Sequence, residues 1–301
     1  LPDLQPRIQV SLFSILEEKE IQIRGFKVRL PLDIQFIFTS NPEDYTNRGT
    51  IVTPLKDRVG SQILTHYPES IEIAKKITKQ ESKIDLELSS KIYIPEVARD
   101  IIEQISFEAR ESDLIDRKSG VSARMSITSL QNLVSSAERR MIINKEEKTS
   151  IRMSDFSSVI SSINGKVELV YEGEEEGAEQ VSYNLISSAV KSIFNKYFPK
   201  IEKLTKPDEA SPYDSILKWF SNKQLIINDN LKNKDYEDLV NEVNDAKKLI
   251  KKYIPKLNDD DELFFIEFIL WGLESYNKLS ILRTNNGIEY KDPFNNFINK
   301  I

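Results

Sequence analysis

Three arginines and one asparagine stand where this sequence could handle a phosphoryl group. Asn41 ends the apolar run IQFIFTSN that begins at Ile34. An amide at the C-terminal end of a buried strand lies at the sheet edge where α/β proteins bind ligands. There it can orient a water beside a phosphate without acting as a base. Arg58 stands in LKDRV, residues 55–59, preceded by the loop NPEDYTNRGTIVTP, which contributes Arg48 as a second cation of the same kind. A guanidinium can stabilise transferring phosphoryl charge bidentately, and one supplied by a neighbouring subunit makes hydrolysis depend on assembly. Arg124 lies in SGVSARMS, residues 119–126, where glycine and serines precede a predicted helix. A bare arginine there adds charge to the positive end of the helix dipole, a conflict that a bound anion would relieve.

Each residue also has a plainer reading. Asn41-Pro42 is an ordinary turn, Asp57-Arg58 is an ion pair that on a surface contributes little, and Arg124 is an exposed helix arginine. His66 is the only histidine, so it has no partner for a metal site. The acids 259–262 resemble a weak cation site but are the usual way to begin an apolar helix, and no metal is assigned to them. The phosphate-loop pattern G-x-x-x-x-G-K-[ST] is absent, because the only Gly-Lys pair, Gly165-Lys166, is followed by Val167 and has Ile160 at the first glycine position.

The elements that would position these groups follow from periodicity. Leu4, Ile8, Leu12, Ile15 and Leu16 draw one helical stripe. Alternation on both sides of Arg24-Gly25, with Ile21 and Ile23 before it and Phe26, Val28 and Leu30 after it, predicts a hairpin. Ile34, Phe36, Ile37 and Phe38 read as a strand buried on both faces of a parallel sheet, with a second strand over 62–67. Pro68-Glu69-Ser70 opens a new helix, which places a domain boundary after residue 68. Helices over about 69–81, 95–110, 122–144 and 154–163 make 69–165 an all-helical bundle. The segment 166–301 is predicted to be a mainly helical extension. It would hold a short strand at 167–171, a solvated acidic loop at 172–179, helices near 181–197, 212–222, 236–253 and 261–279, and a loosely ordered Asn-rich tail from 285.

Composition narrows the classes. The chain of 301 residues is long enough for two or three domains. Acidic side chains outnumber basic ones, 48 against 42, so the overall balance does not favour nucleic acid, although a local basic patch such as Arg24, Lys27 and Arg29 on the hairpin remains available. Absence of cysteine removes disulfides and thiolate chemistry and is compatible with a cytoplasmic protein. The densest apolar run, LFFIEFILWGL, falls short of the ~18 residues of a membrane span and carries Glu267. The N-terminus has neither a basic nor an apolar leader segment, and an excised or truncated chain is expected.

The order of helix, hairpin, Asn41 strand, Arg58 segment and bundle with Arg124 resembles AAA+ ATPases, in the branch that contains magnesium chelatase ATPase subunits and MoxR-type proteins. The likeness covers roughly residues 4–163. It implies that Asn41 is sensor 1, that Arg58 is an arginine finger acting in trans, with Val59 where Phe is common, and that Arg124 is sensor 2 on a helical lid, in a segment similar to G-A-S-x-R-A. Residues 1–68 would be the C-terminal part of an αβα core with its hairpin insertion, residues 69–165 the lid and 166–301 an extension of unassigned role. The intact protein would bind ATP and Mg2+ between the subunits of a homo-oligomeric ring and use hydrolysis to remodel a partner protein or insert a metal. This chain alone is expected to be inactive. The alternatives are a non-enzymatic helical interaction module and a DNA-acting, helicase-like motor.

Overall fold

A computed structural model of the chain describes residues 4–29, 31, 33, 35–40, 51–201, 211–284 and 286–293. It divides into two compact units, Leu1–Tyr67 and Pro68–Ile301. The fold is mainly helical with a few short strands.

In the first unit, helix α1 (Pro6–Phe13) runs into one wider turn, Ser14–Glu18. Strands β1 (Glu20–Ile23) and β2 (Phe26–Arg29) pair antiparallel, with Ile21 opposite Val28 and Ile23 opposite Phe26. The turn between them needs positive φ at both central residues, 50° at Arg24 and 88° at Gly25, and glycine takes the second without a side-chain clash. Helix α2 (Thr53–Asp57) follows, with proline in its first turn and Leu55 fully buried. The buried Gln9 amide joins the two ends of the unit, accepting from the Val52 amide at 3.0 Å and donating to the Leu4 carbonyl at 3.0 Å.

Two expectations for this unit are corrected. Residues 35–40 form no strand, and Ile37 is 80% exposed. Residues 62–67 form none either, with Ile63 and Leu64 at the surface. A parallel strand needs hydrogen-bonding neighbours and covering helices, and the described residues of the unit supply neither. The expected parallel core is therefore not seen among them.

The second unit is a helical assembly with a small sheet. Helix α3 (Ile71–Glu81) is capped by the Ser70 hydroxyl, which accepts from the Ile73 amide. A short α4 (Leu86–Lys91) leads into β3 (Ile92–Tyr93), and α5 (Glu96–Glu111) buries Val97, Ala98, Ile101, Ile102, Ile105 and Ala109. Helix α6 (Arg124–Asn144) ends at Lys145 in the left-handed region. After it, β4 (Thr149–Ser150) pairs parallel with β3, the one parallel pair among the described residues. A 3-10 segment, Met153–Val159, continues into α7 (Ile160–Asn164).

The chain then forms α8 (Tyr171–Glu176) and α9 (Ala178–Tyr197). Next come α10 (Asp214–Phe220), β5 (Leu225–Asn228), α11 (Asn233–Val240) and α12 (Asn244–Tyr253). Helix α13 (Asp259–Ser275), capped by Asn258, is buried all round from Phe264 to Leu273 and apolar there but for Glu267, which is the pattern of a helix surrounded by protein. Strands β6 (Ser280–Thr284) and β7 (Gly287–Lys291) complete an antiparallel sheet in the order β5-β7-β6. Helix α9 packs on both α5 and α13. Gly272 makes the second contact close, since a Cβ there would lie 2.2 Å from the Phe194 ring.

One hydrophobic core runs from Ile92 to Tyr290, so the expected division at 165–166 lies inside this unit. Other local expectations also change. Residues 172–176, read as an acidic loop, are helical, because glutamate propagates a helix well and the acids stand near its N-terminus. Residues 167–171 give only an isolated bridge, Leu169 to Ile115. The helix expected over 236–253 is two helices, and residues 287–291, read as tail, are the central strand of the sheet.

Candidate functional site

Of the four residues singled out in the sequence, Asn41 and Arg48 lie outside the described residues. Arg58 belongs to the first unit and Arg124 to the second.

Arg58 caps α2 and is held on three sides. Its guanidinium donates to Glu17 Oε2 at 2.9 Å and to the Pro54 carbonyl at 2.8 Å, and it lies over the Phe13 ring at 5.0 Å. The ion partner is thus Glu17 on the turn after α1, whereas the sequence suggested its neighbour Asp57. Here Arg58 clips α2 to the end of α1. Delivering the same group to a phosphate requires release from Glu17.

Arg124 is arranged differently. It is the first residue of α6, exposed, with no acidic residue in the first turn of that helix. Its backbone amide donates to Ser122 Oγ at 3.2 Å, and its side chain makes no hydrogen bond or ion pair with the described residues. The helix start beneath it is fixed by Val121 and Met125, both buried, and by Ser126, whose hydroxyl meets Ser106 Oγ of α5 at 2.6 Å. Glu103 is buried at the same place, its carboxyl pushed up by burial and partly relieved by hydrogen bonds from Thr78 and Ser126. A buried base thus places a cation without a partner among the described residues at the positive end of a 21-residue helix. Chemically this is an anion-binding arrangement.

His66 is exposed, with Nδ1 2.8 Å from the Tyr67 carbonyl oxygen. The acids 259–262 form the first turn of α13, and no metal-holding cluster occurs among the described residues.

A larger constellation was not found from the sequence. Glu267, fully buried on α13, accepts from Tyr290 Oη at 2.8 Å, Tyr236 Oη at 2.9 Å and the Met153 amide at 3.1 Å. Trp271 Nε1 donates to Tyr290 Oη at 2.9 Å. Arg152 stacks on the Tyr236 ring at 4.0 Å and donates to the Leu231 carbonyl and Asn233 Oδ1, while Arg140 pairs with Asp155. Burial, then the neighbouring Arg140, lowers the Arg152 guanidinium to about 10. Burial also pushes the Glu267 carboxyl up, and with Glu267 beside them the Tyr236 and Tyr290 hydroxyls rise as well. With Glu267, Arg140, Arg152 and Asp155 all buried, the network is a structural lock that ties α6, the 3-10 segment, α11, α13 and β7 together. The visible signal was Glu267 inside an apolar run, since a lone buried carboxylate requires donors.

No family model matches this chain, and no curated protein or solved structure matches it either.

Proposed function

We propose that these residues are a portion of a AAA+ ATPase similar to magnesium chelatase ATPase subunits and MoxR-type proteins, with Arg124 as the lid's phosphate-binding cation. The observation that supports this most is the free, exposed Arg124 at the start of α6 on a buried, hydrogen-bonded base. Without an anion, the charge at that end costs roughly 0.3–1 kcal/mol, and a phosphate would reverse the sign.

Residues 1–68 are read as the end of an αβα core and 69–165 as the lid. ATP supplies the γ-phosphoryl group whose transfer to water is the reaction. Arg124 would hold the phosphates of its own subunit and Asn41 would orient the water. Arg58, freed from Glu17, would stabilise charge at the neighbouring subunit of a ring. The lysine and acidic residues that a phosphate loop and a magnesium site need are not among the matching motifs, so this chain alone should not turn over ATP.

The test uses the assembled ATPase that carries these residues beside a phosphate loop. Arg58→Ala should leave ATP binding nearly intact and reduce turnover by on the order of 10³ or more. Mixing that variant with one lacking only the phosphate-loop lysine should partly restore activity. An unchanged rate for Arg58→Ala, or no restoration in demonstrably mixed rings, would leave Arg58 as the clip to Glu17 alone. A second reading, a non-enzymatic interaction module, is favoured by the exposed Phe26, Ile37, Ile63 and Leu64 of the first unit. Absence of ATP turnover in every assembly carrying these residues would favour it.

A further inference from the structure

The second unit holds a cavity of about 440 Å³, within the size range of small-molecule sites. It lies at one end of the β5-β7-β6 sheet. Ser280 pairs with Lys291 there, which brings the turn before β6 beside the residues that follow β7. Among the described residues its walls are the C-terminal part of α10, that turn, and Asp292 with Pro293.

Local structure puts two cations on the lining. Helix α13 ends with Asn277 in the left-handed region, φ 56°, where the Asn277 amide donates to the Glu274 carbonyl at 2.7 Å and the Lys278 amide to the Leu273 carbonyl at 2.9 Å. This closed helix end sets Lys278 at the cavity and sends Leu279 into the core. Lys218, in the last turn of α10, lines the same cavity. Phe220 and Leu279 are buried, and with the half-buried Leu217 and Pro293 they give it an apolar floor.

Hydrogen-bond accounting gives the cavity its chemistry. Neither ammonium group has an ion pair or hydrogen bond with the described residues, so each keeps its three donors. The Asn277 side-chain amide is likewise uncommitted and offers donor and acceptor alike. Ser221 shares its one hydroxyl hydrogen between the Leu217 carbonyl at 3.3 Å and Asp292 Oδ2 at 3.4 Å, so the one acid of the described lining is already engaged. Two ammonium groups against that single carboxylate leave the lining net positive above an apolar floor. A cation would meet like charge, and a bare inorganic anion would leave the floor uncovered.

We infer that this cavity binds a small organic carboxylate with an apolar body, its charge held by Lys218 and Lys278 and its body against Phe220 and Leu279. The site uses neither Arg58 nor Arg124 and does not depend on the ATPase reading.

The probe is phenylacetate, titrated into the full chain at low salt with backbone amide shifts as the readout. Saturable shifts should appear at residues 217–221, 277–279 and 292, with a dissociation constant of about a millimolar or tighter. Phenylacetamide, which keeps the ring without the charge, should bind about tenfold more weakly, the scale of a charge-assisted hydrogen bond. Acetate, which keeps the charge without the ring, should lose about as much through the apolar area it cannot cover. Lys218→Met and Lys278→Met preserve side-chain length, should leave the urea midpoint unchanged, and should each weaken phenylacetate about tenfold. Absence of saturation at roughly ten times that concentration, equal binding of phenylacetamide or acetate, or unchanged affinity in the Lys218→Met, Lys278→Met double variant would each overturn the assignment.

Discussion

The two units of this chain treat apolar residues in opposite ways. In the second, the helices α5, α9 and α13 share one core, with Ile101, Ile193 and Ile266 fully buried. In the first, Leu55 is the only buried hydrophobic side chain among the described residues, while Phe26, Ile37, Ile63 and Leu64 are 77–87% exposed. The sequence patterns of the two look equally apolar. An apolar run becomes an element only where the chain also supplies a surface to cover it, and the second unit does so through contacts between segments far apart in sequence.

The sharpest way to break this comparison is to place one polar substitution in each unit. Ile193→Ser should destabilise the second unit by about 4 kcal/mol, from the lost apolar contacts and a buried hydroxyl. Ile37→Ser should change unfolding by less than about 0.5 kcal/mol, the usual range for surface positions. Urea denaturation followed by tryptophan fluorescence for the second unit, and by amide exchange for the first, measures both. Equal effects would show that the exposure of Ile37 is not a property of the folded chain.

Next in size is the Glu267 lock. Glu267→Ala leaves two tyrosine hydroxyls and the Met153 amide without their acceptor inside the core and should cost about 3 kcal/mol or more. Its pH dependence has a definite sign. Burial raises the Glu267 carboxyl above its unfolded value, so the folded state keeps that proton to higher pH. The contribution to stability is therefore greatest below the unfolded pKa and falls as pH rises through the folded one. Glu267→Gln should remove this slope from unfolding free energies measured across the acid range, and a slope identical to wild type would assign it to other groups.

A smaller effect tests the closeness of α9 and α13. Gly272→Ala forces a methyl against the Phe194 ring and should cost about 2 kcal/mol, read as a lowered denaturation midpoint with an unchanged slope. A neutral outcome would mean that the helices separate at little cost.

Legibility divided differently, between local signals and pairings far apart in sequence. The hairpin and the helices α3, α5, α6 and α9 were readable within a few residues, because Ser70, Pro95 and the apolar stripes are local signals. The sheet of β5, β6 and β7 was not, because LIIN at 225–228 is too short to distinguish from a helix turn until its partner at 287–291 is known. The position of Arg124 at a helix start was readable from the glycine and serines that precede it. The clip of Arg58 to Glu17 was hidden, since their pairing spans 41 positions and no local pattern selects Glu17 over Asp57. The Glu267 network was hidden for the same reason, with donors from Met153, Tyr236 and Tyr290.

The central claim, that Arg124 is a cation awaiting phosphate, can be tested on this chain without any assembly. Backbone amide shifts recorded while inorganic tripolyphosphate is added at low salt should move first at residues 121–126, at roughly millimolar concentrations, and the change should vanish in Arg124→Ala. Shifts that ignore residues 121–126, or that persist unchanged in Arg124→Ala, would contradict the phosphate-binding role and the ATPase reading built on it.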